Sequence, residues 1–583
     1  MATRCRNALG FLRVSFFFLV HFSLAAASSE VFMKARRETS LEILGGLEAV
    51  FGQHFREDIE QRVTGAEMEL NTSFMALPKN SKGRLSSPAV RYILHRQMLQ
   101  GHAWHLKGID PEGQAWNSSS PAAALEDIAP AGLRSLFESH LTKNGFNLRE
   151  TALMLAVLEK LVQQDALRRV TNAYVADGLQ LDGNATYKQV RRALETLMRS
   201  VVLGPRDAKA MSPRVVEKLW TYNMTEMYPG WPKTMDWVRE VEKHWLQQET
   251  TPVKSDSSEE LAYPFEDVKK VVSEVSEKYG VWQNAECRNL KQVLMNLEDG
   301  DCPGRVTLAR FWDSALHGGR WQFTESKEYL RENGVLDETD PQYPSVIVPN
   351  YMTSYTNCVA SSGFFTTCCM NECEPILSKL EAEFALPDAR PDEIVGVVVG
   401  IVTTYQPPRS SLPLPLMQQL DNIAKAHGGR VPLHGRLFAQ WLHHAFPREC
   451  NYPAVANTTA PKHHLDWKEE TGSAPEASRL EMMTYTNSHR FGKYLLARRL
   501  GGEADGHWDK ERKCSTWSMI EELVAPLLAA GSQASDAGRS DFTLDSALMP
   551  AAGLMSVTML SFVAKAWRAP PGNPFGSANS LLI

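Results

Sequence analysis

The sequence lacks the short motifs that usually announce a catalytic machine. It has no Gly-x-Ser-x-Gly and no Walker A run, so neither a serine-hydrolase elbow nor a phosphate cradle can be named. It has no Cys-x-x-Cys, so a thioredoxin-like redox centre has no support. It has no long basic stretch and a formal net charge of only −6, so nucleic acid is not an expected partner. Cysteine is scarce, with nine in 583 residues, and the composition is otherwise that of a globular protein, 43% hydrophobic. Yet four of those cysteines, 358, 368, 369 and 373, fall within one short segment, TNCVASSGFFTTCCMNECE. Whether they hold a metal or make disulfides depends on the compartment.

The N-terminus predicts that compartment. Arg4, Arg6 and Arg13 make a basic start, Val14–Ala27 is apolar, and Ala25 and Ala27 give a small-residue exit. That is the pattern of a secretory signal peptide over 1–27. The sequons Asn71, Asn117, Asn184, Asn223 and Asn457 then become candidate glycan acceptors. Cys5 leaves with the leader. Cys287, Cys302, Cys358, Cys368, Cys369, Cys373, Cys450 and Cys514 remain, an even set expected to pair in an oxidising lumen. Adjacent Cys368 and Cys369 are expected to reach two different partners, one of them Cys450. The alternative is zinc, since Cys369-x3-Cys373 has a spacing such a site could use.

The C-terminal region reads as an anchor. Ala547–Ala564 is uncharged, with Lys565, Trp567 and Arg568 behind it. Eighteen helical residues rise about 27 Å, close to a hydrocarbon core, and the basic flank suits the cytoplasmic side. Residues 545–568 are therefore expected to form a single transmembrane helix, with a polar stalk at 529–544 and a short tail at 569–583. The expected partner is a membrane through 547–564, together with a protein or small-molecule ligand.

Between these ends the chain reads as mainly α with minor β. Residues 28–248 are expected to form an N-terminal helical domain. A polar stretch, 249–260, reads as a linker, and 261–528 as a cysteine-containing α-rich domain. Asn147 with Glu150 three residues later is a capping box. SVIVP (345–349) and EIVGVVVGIVTTY (393–405) are β-branched runs that suit either a buried strand or a helix. A weak repeat links GRVTLARFW, from Gly304, and GRVPLHGRLFAQWL, from Gly429. Both carry a helix, a glycine turn and a second helix. We read them as a helix-turn-helix pair resembling a degenerate EF-hand. In the first copy Asp299 and Asp301 fall at ligand positions, but Arg310 stands where the bidentate glutamate is needed. Weak calcium binding at 299–310 is thus one reading, and loss of metal the other.

Histidines cluster near the end: His443 and His444, then His463 and His464, with Asp466 nearby. Imidazole plus carboxylate suits zinc or copper. Adjacent histidines on a helix point about 100° apart, so each pair offers one inward ligand at most. A luminal metal-dependent enzyme using the His/Cys clusters in 434–466 is the alternative function; no cofactor is predicted for the leading reading, and calcium or zinc would serve the alternatives.

Several stretches also carry a resemblance: AVRYILHRQMLQGHAWHLKGID, EMYPGWP, WQFTESKEYLRENGVLDETDPQYPSVIVPNYMTSY and HGGRVPLHGRLFAQWLHHAFPRECNYP. The chain resembles a family of uncharacterised secretory-pathway, single-span proteins from protist genomes. The signature lies around residues 321–374 and 428–453. The resemblance implies no catalytic residues, and it implies that the cysteine cluster is structural. The leading expectation is a non-enzymatic, glycosylated, disulfide-stabilised, membrane-anchored ectodomain that binds a ligand. Digestion with a peptide-N-glycosidase is then expected to lower the apparent mass of the mature chain. An unchanged mass, or a tagged chain found in the cytosol, would remove this reading.

Overall fold

Helix-start signals divide this chain. At Asn147 the side chain accepts from the Glu150 N–H at 3.0 Å, and Glu150 Oε2 accepts the Asn147 N–H at 2.9 Å. At Thr186 the same reciprocal arrangement is made with Gln189. Prolines occupy the first turn after Ser86 and Arg390, where a missing N–H costs nothing. Each of these starts follows a short extended stretch.

The computed structural model describes residues 55–110, 145–203, 211–248, 261–300, 302–316, 323–359, 362–487 and 516–525, with a few residues between. The expected leader, stalk, span and tail lie outside the described residues, as do Asn117 and Asp301. Among the described residues no helix is long and apolar enough to cross a membrane. The protein is mainly α, as expected, with short strands only.

One order recurs: helix, turn, a few extended residues, helix. α1 (Phe55–Ala76) leads through Leu85 to α2 (Ser87–His102), which is followed by β1 (Trp104–Leu106). Phe146 leads into α3 (Leu148–Ala176), and α3 through β2 (Asn184–Thr186) into α4 (Tyr187–Leu203). α5 (Trp231–Lys243) precedes β3 (Leu261–Pro264) and α6 (Phe265–Asn296). α6 runs into β4 (Arg305–Thr307) and α7 (Leu308–Leu316). α8 (Lys327–Glu332) precedes β5 (Ser345–Ile347) and α9 (Val348–Thr353), and β6 (Phe365–Thr367) lies among the cysteines. α10 (Glu374–Phe384), β7 (Asp388–Ala389) and α11 (Pro391–Val398) follow, then α12 (Leu414–Ala426), β8 (Val431–Pro432) and α13 (Arg436–Ala445).

The extended residues pair antiparallel between successive units: Leu85 with Phe146, β2 with β3, β4 with β5, and β7 with β8. A lone unit would leave a strand edge with open N–H and C=O groups, so units come in twos. Each pair has its own apolar core. Two long helices stitch neighbouring cores together. α3 places Ala152–Val162 in the first core and Val170–Tyr174 in the second. α6 places Phe265–Tyr279 in the second and Cys287–Leu294 in the third. The polar stretch 249–260 falls inside the second core's sequence, since α5 before it and β3 and α6 after it join one cluster.

The last pair returns to the first. Arg96 of α2 reaches α10, where Nη1 donates to Glu381 Oε1 at 2.6 Å and Nε to Glu374 Oε1 at 2.8 Å. Ser73 of α1 donates to Glu381 Oε2 at 2.8 Å, and His434 Nε2 donates to Oε1 at 2.7 Å. The Glu381 side chain is fully buried. Burial alone would push its carboxyl up, but Arg96 and His434 outweigh burial and hold it well below the usual carboxylate range. The segment 516–525 then straps α13 to this seam. Leu523 bridges Gly435, the Arg436 N–H donates to Glu522 O at 3.0 Å, and Val524 and Ala525 enter the first core.

All eight expected cysteines pair: Cys287–Cys369, Cys302–Cys514, Cys358–Cys368 and Cys373–Cys450. Cys368 and Cys369 do take different partners. Cys450, however, joins Cys373 at the start of α10 rather than either of them. The cysteine segment closes one loop on itself and sends two bridges out, to α6 and to the turn after α13.

The two glycine turns of the sequence repeat each lead into a short strand and a helix, β4 with α7 and β8 with α13. β4 joins β5, and β8 joins β7. Gly304 is required twice over at its turn. Its φ is +72°, and a Cβ there would sit 1.9 Å from the Pro447 carbonyl oxygen.

Arg96→Leu leaves the buried Glu381 carboxylate without its guanidinium and is expected to destabilise the fold by about 3–5 kcal/mol, read from thermal or denaturant midpoints. A loss below about 1 kcal/mol would show that closure does not rest on this pair.

Candidate functional site

The sequence-named candidates are held in structural work. His443 is buried. Its Nδ1–H donates to Cys450 O at 2.7 Å, and its Nε2 accepts from Arg305 Nη2 at 3.1 Å. Both nitrogens are occupied, and burial followed by the Arg305 charge drives its pKa well below the ordinary value. His463 is also buried. Its Nε2–H donates to Cys358 O at 3.2 Å, and its Nδ1 accepts the Leu465 N–H at 3.4 Å. The outer member of each histidine pair is only half-buried. Burial pushes His444 down to about 4, and His464 lies against the His463 ring. Asp466 lies 3.9 Å from Lys107. Asp299 donates its N–H to Arg305 O and lies 4.0 Å from Arg310, whose Nη1 donates to the Leu297 and Glu298 carbonyls. A guanidinium therefore meets that helix end. Among the described residues no group of three or more His, Cys, Asp or Glu side chains is placed to hold a metal ion. Asn71, Asn184, Asn223 and Asn457 are all exposed; Asn71 lies within α1 and Asn457 in a left-handed turn.

A sizeable concavity lies elsewhere among the described residues. It is a cleft of about 860 Å³ between α1, the end of α2, α3, α5 and α6. That size falls in the range of small-ligand sites. One wall is polar. Arg62 of α1 donates through Nη1 to Glu159 Oε2 of α3 at 3.2 Å, and its Nη2 lies 3.7 Å from Glu277 of α6. Gln163 donates to Glu277 at 3.4 Å.

His102 closes the base of this wall. It ends α2, and Ala103 in a left-handed conformation turns the chain away. The imidazole stacks on Trp104 at 4.2 Å and 21°. Its Nε2 is 3.0 Å from Glu159 Oε1 and its Nδ1 3.4 Å from the Glu277 carbonyl oxygen. Both partners accept hydrogen bonds, so the surroundings favour a proton on each nitrogen. Burial would lower its pKa, but Glu159 and then Glu277 outweigh burial and raise it. The carbonyl end of α2 favours the same charge. Gly280 lets α6 come this close, because a Cβ there would sit 2.3 Å from the His102 carbonyl oxygen.

The other wall is aromatic. Trp237 of α5 and Trp282 of α6 stack at 5.1 Å and 19°, and both are half-exposed. Buried Tyr279 packs against both, 6.1 Å from Trp237 and 6.2 Å from Trp282. The cleft thus sets flat apolar rings beside ion-paired donors and acceptors. Sequence reasoning missed all of these residues. GHAWH was noted only for resemblance, and Trp237 and Trp282 are lone aromatics on helices.

A second polar cluster acts as a clasp. Tyr355 Oη donates to buried Asp110 Oδ2 at 2.5 Å and lies 2.9 Å from His105 Nδ1. It ties the cysteine segment to the chain around β1. No protein-family model, curated protein or solved structure matches the chain.

The His102 bonds yield a pH dependence. The ring's folded-state pKa is raised above 6.5. Their contribution to stability is therefore complete below pH 6.5 and fades as pH rises through the raised value. His102→Gln is expected to lower the melting temperature more at about pH 6 than at about pH 8.5. An equal loss at both would show that the ring is uncharged in the fold.

Proposed function

We propose that the chain is a non-enzymatic, disulfide-braced binding ectodomain of the secretory pathway, membrane-anchored and glycosylated, with the 860 Å³ cleft as its ligand site. The observation that carries this is the pairing of half-exposed stacked indoles with an adjacent wall of ion-paired side chains. Two such walls recognise a shape and a set of hydrogen bonds at once. The charged groups suit recognition rather than proton transfer, because Glu159 is already bound by both Arg62 and His102. The eight paired cysteines support the oxidising lumen. The four exposed sequon asparagines support glycan attachment. The rest of the molecule is scaffold that fixes the five helices around the cleft.

The test is a thermal-shift screen of the purified full-length chain against sugars, amines, nucleosides, fatty acids and short peptides, run in parallel on Trp282→Ala. At about a hundredfold excess over its dissociation constant a true ligand stabilises by about 2.7 kcal/mol, a readable shift. At least one class is expected to stabilise the parent chain and to lose its effect in Trp282→Ala. No stabilising class, or stabilisation that ignores Trp282, would sink the cleft as a binding site.

A further inference from the structure

We infer that the ligand of the cleft is a neutral oligosaccharide; this rests on the binding-cleft reading and narrows it. The first ground is charge. The lining carries three carboxylates, Glu69, Glu159 and Glu277, and three cations, Arg62, His102 and Lys278. None of the three carboxylates is left over. Glu159 is held by Arg62 and His102, Glu277 by Gln163 with Arg62 nearby, and Glu69 by Gln97 at 2.8 Å. Lys278 is held by Glu274 at 2.8 Å. Among the described lining residues a phosphate or uronate would find no spare cation, and a quaternary amine no spare carboxylate to supplement the rings.

The second ground is the match of surfaces. A sugar ring has one face of C–H groups and a rim of hydroxyls that both donate and accept. Indole faces carry negative charge density and take polarised C–H groups well. Trp237 and Trp282, both half-exposed at the cleft, supply such indole surface. Carboxylates with spare lone pairs beside a guanidinium fork meet hydroxyls that need an acceptor and a donor together. Arg62 with Glu159 is that combination. The third ground is size: the cleft is roomier than one ring needs and open along the helices, which favours a chain of rings over a monosaccharide.

The experiment presents the full-length chain to an array of neutral, sulfated, sialylated and uronate oligosaccharides. Calorimetry on the neutral sugars that bind follows, with choline as the cationic probe. Binding to neutral sugars is expected, with little salt dependence because no net charge is exchanged. Trp282→Ala is expected to weaken it about tenfold or more, and Trp282→Tyr to keep most of it because an aromatic face survives. The melting curves of both variants separate lost binding from lost folding. Binding only to acidic sugars, or only to choline, would overturn the inference. If no sugar binds while another class still stabilises through Trp282, the sugar assignment fails and the cleft reading stands. If nothing binds, both fail.

Discussion

The contact on which the molecule closes is the buried carboxylate of Glu381 in the guanidinium fork of Arg96. A carboxylate removed from water costs far more than one hydrogen bond returns. Here it receives four partners' atoms: two from Arg96, one from Ser73 and one from His434. Those donors come from α1, α2 and the turn before α13. They can meet Glu381 only if the last pair of units docks on the first. The charge is therefore a registry device, because any other docking leaves it unpaired in an apolar seam. The strap at 516–525, bonded to His434 and Arg436, and the Cys373–Cys450 bridge at the start of α10 hold what the ion pair selects.

Everything between those ends follows from two local constraints. Short strands need a partner, which makes units pair. Long helices shared by adjacent cores make pairs stack, as α3 and α6 do. The cleft is a consequence of that stacking. It opens where α3 and α6 pass from one core to the next, with α1 and α5 standing off on either side. Polar residues gather there because neither core can bury them, and Gly280 brings α6 close enough for His102 to reach its carbonyl. The candidate site is thus a seam between two folded units, where rigid helices set the side chains.

What could be read from the sequence was local. The Asn147–Glu150 box is chemistry within four residues, and it forms as read. The mainly α class follows from many such starts. SVIVP and EIVGVVV looked alike because both are β-branched and apolar. Pro391 and Glu393 at a helix start decide the second, which becomes α11, while the edge offered by β4 decides the first, which becomes β5. The pairing of the cysteines was not legible, since Cys373 meets Cys450 across 77 residues of folded chain. The partner of each glycine turn was not legible either, because similarity between two turns does not say which edges meet. The cleft was invisible for the same reason. Arg62, His102, Glu159, Trp237 and Glu277 stand on five helices, and no short window contains two of them.

The loop that resembled a degenerate EF-hand also has a physical reading, and the end of α1 shares it. Every helix end leaves carbonyl oxygens with partial negative charge. A metal can satisfy them, and so can a side chain. In the first unit Lys79 donates to the carbonyls of Met75 and Leu77, and in the fifth Arg310 donates to those of Leu297 and Glu298. A tethered cation is present at fixed stoichiometry and needs no free ion. It also gives no response when ion levels change. The candidate cleft is set by five separate helices, so a small slip of α1 or α5 would part Arg62 from Glu159 or turn Trp237 off Trp282.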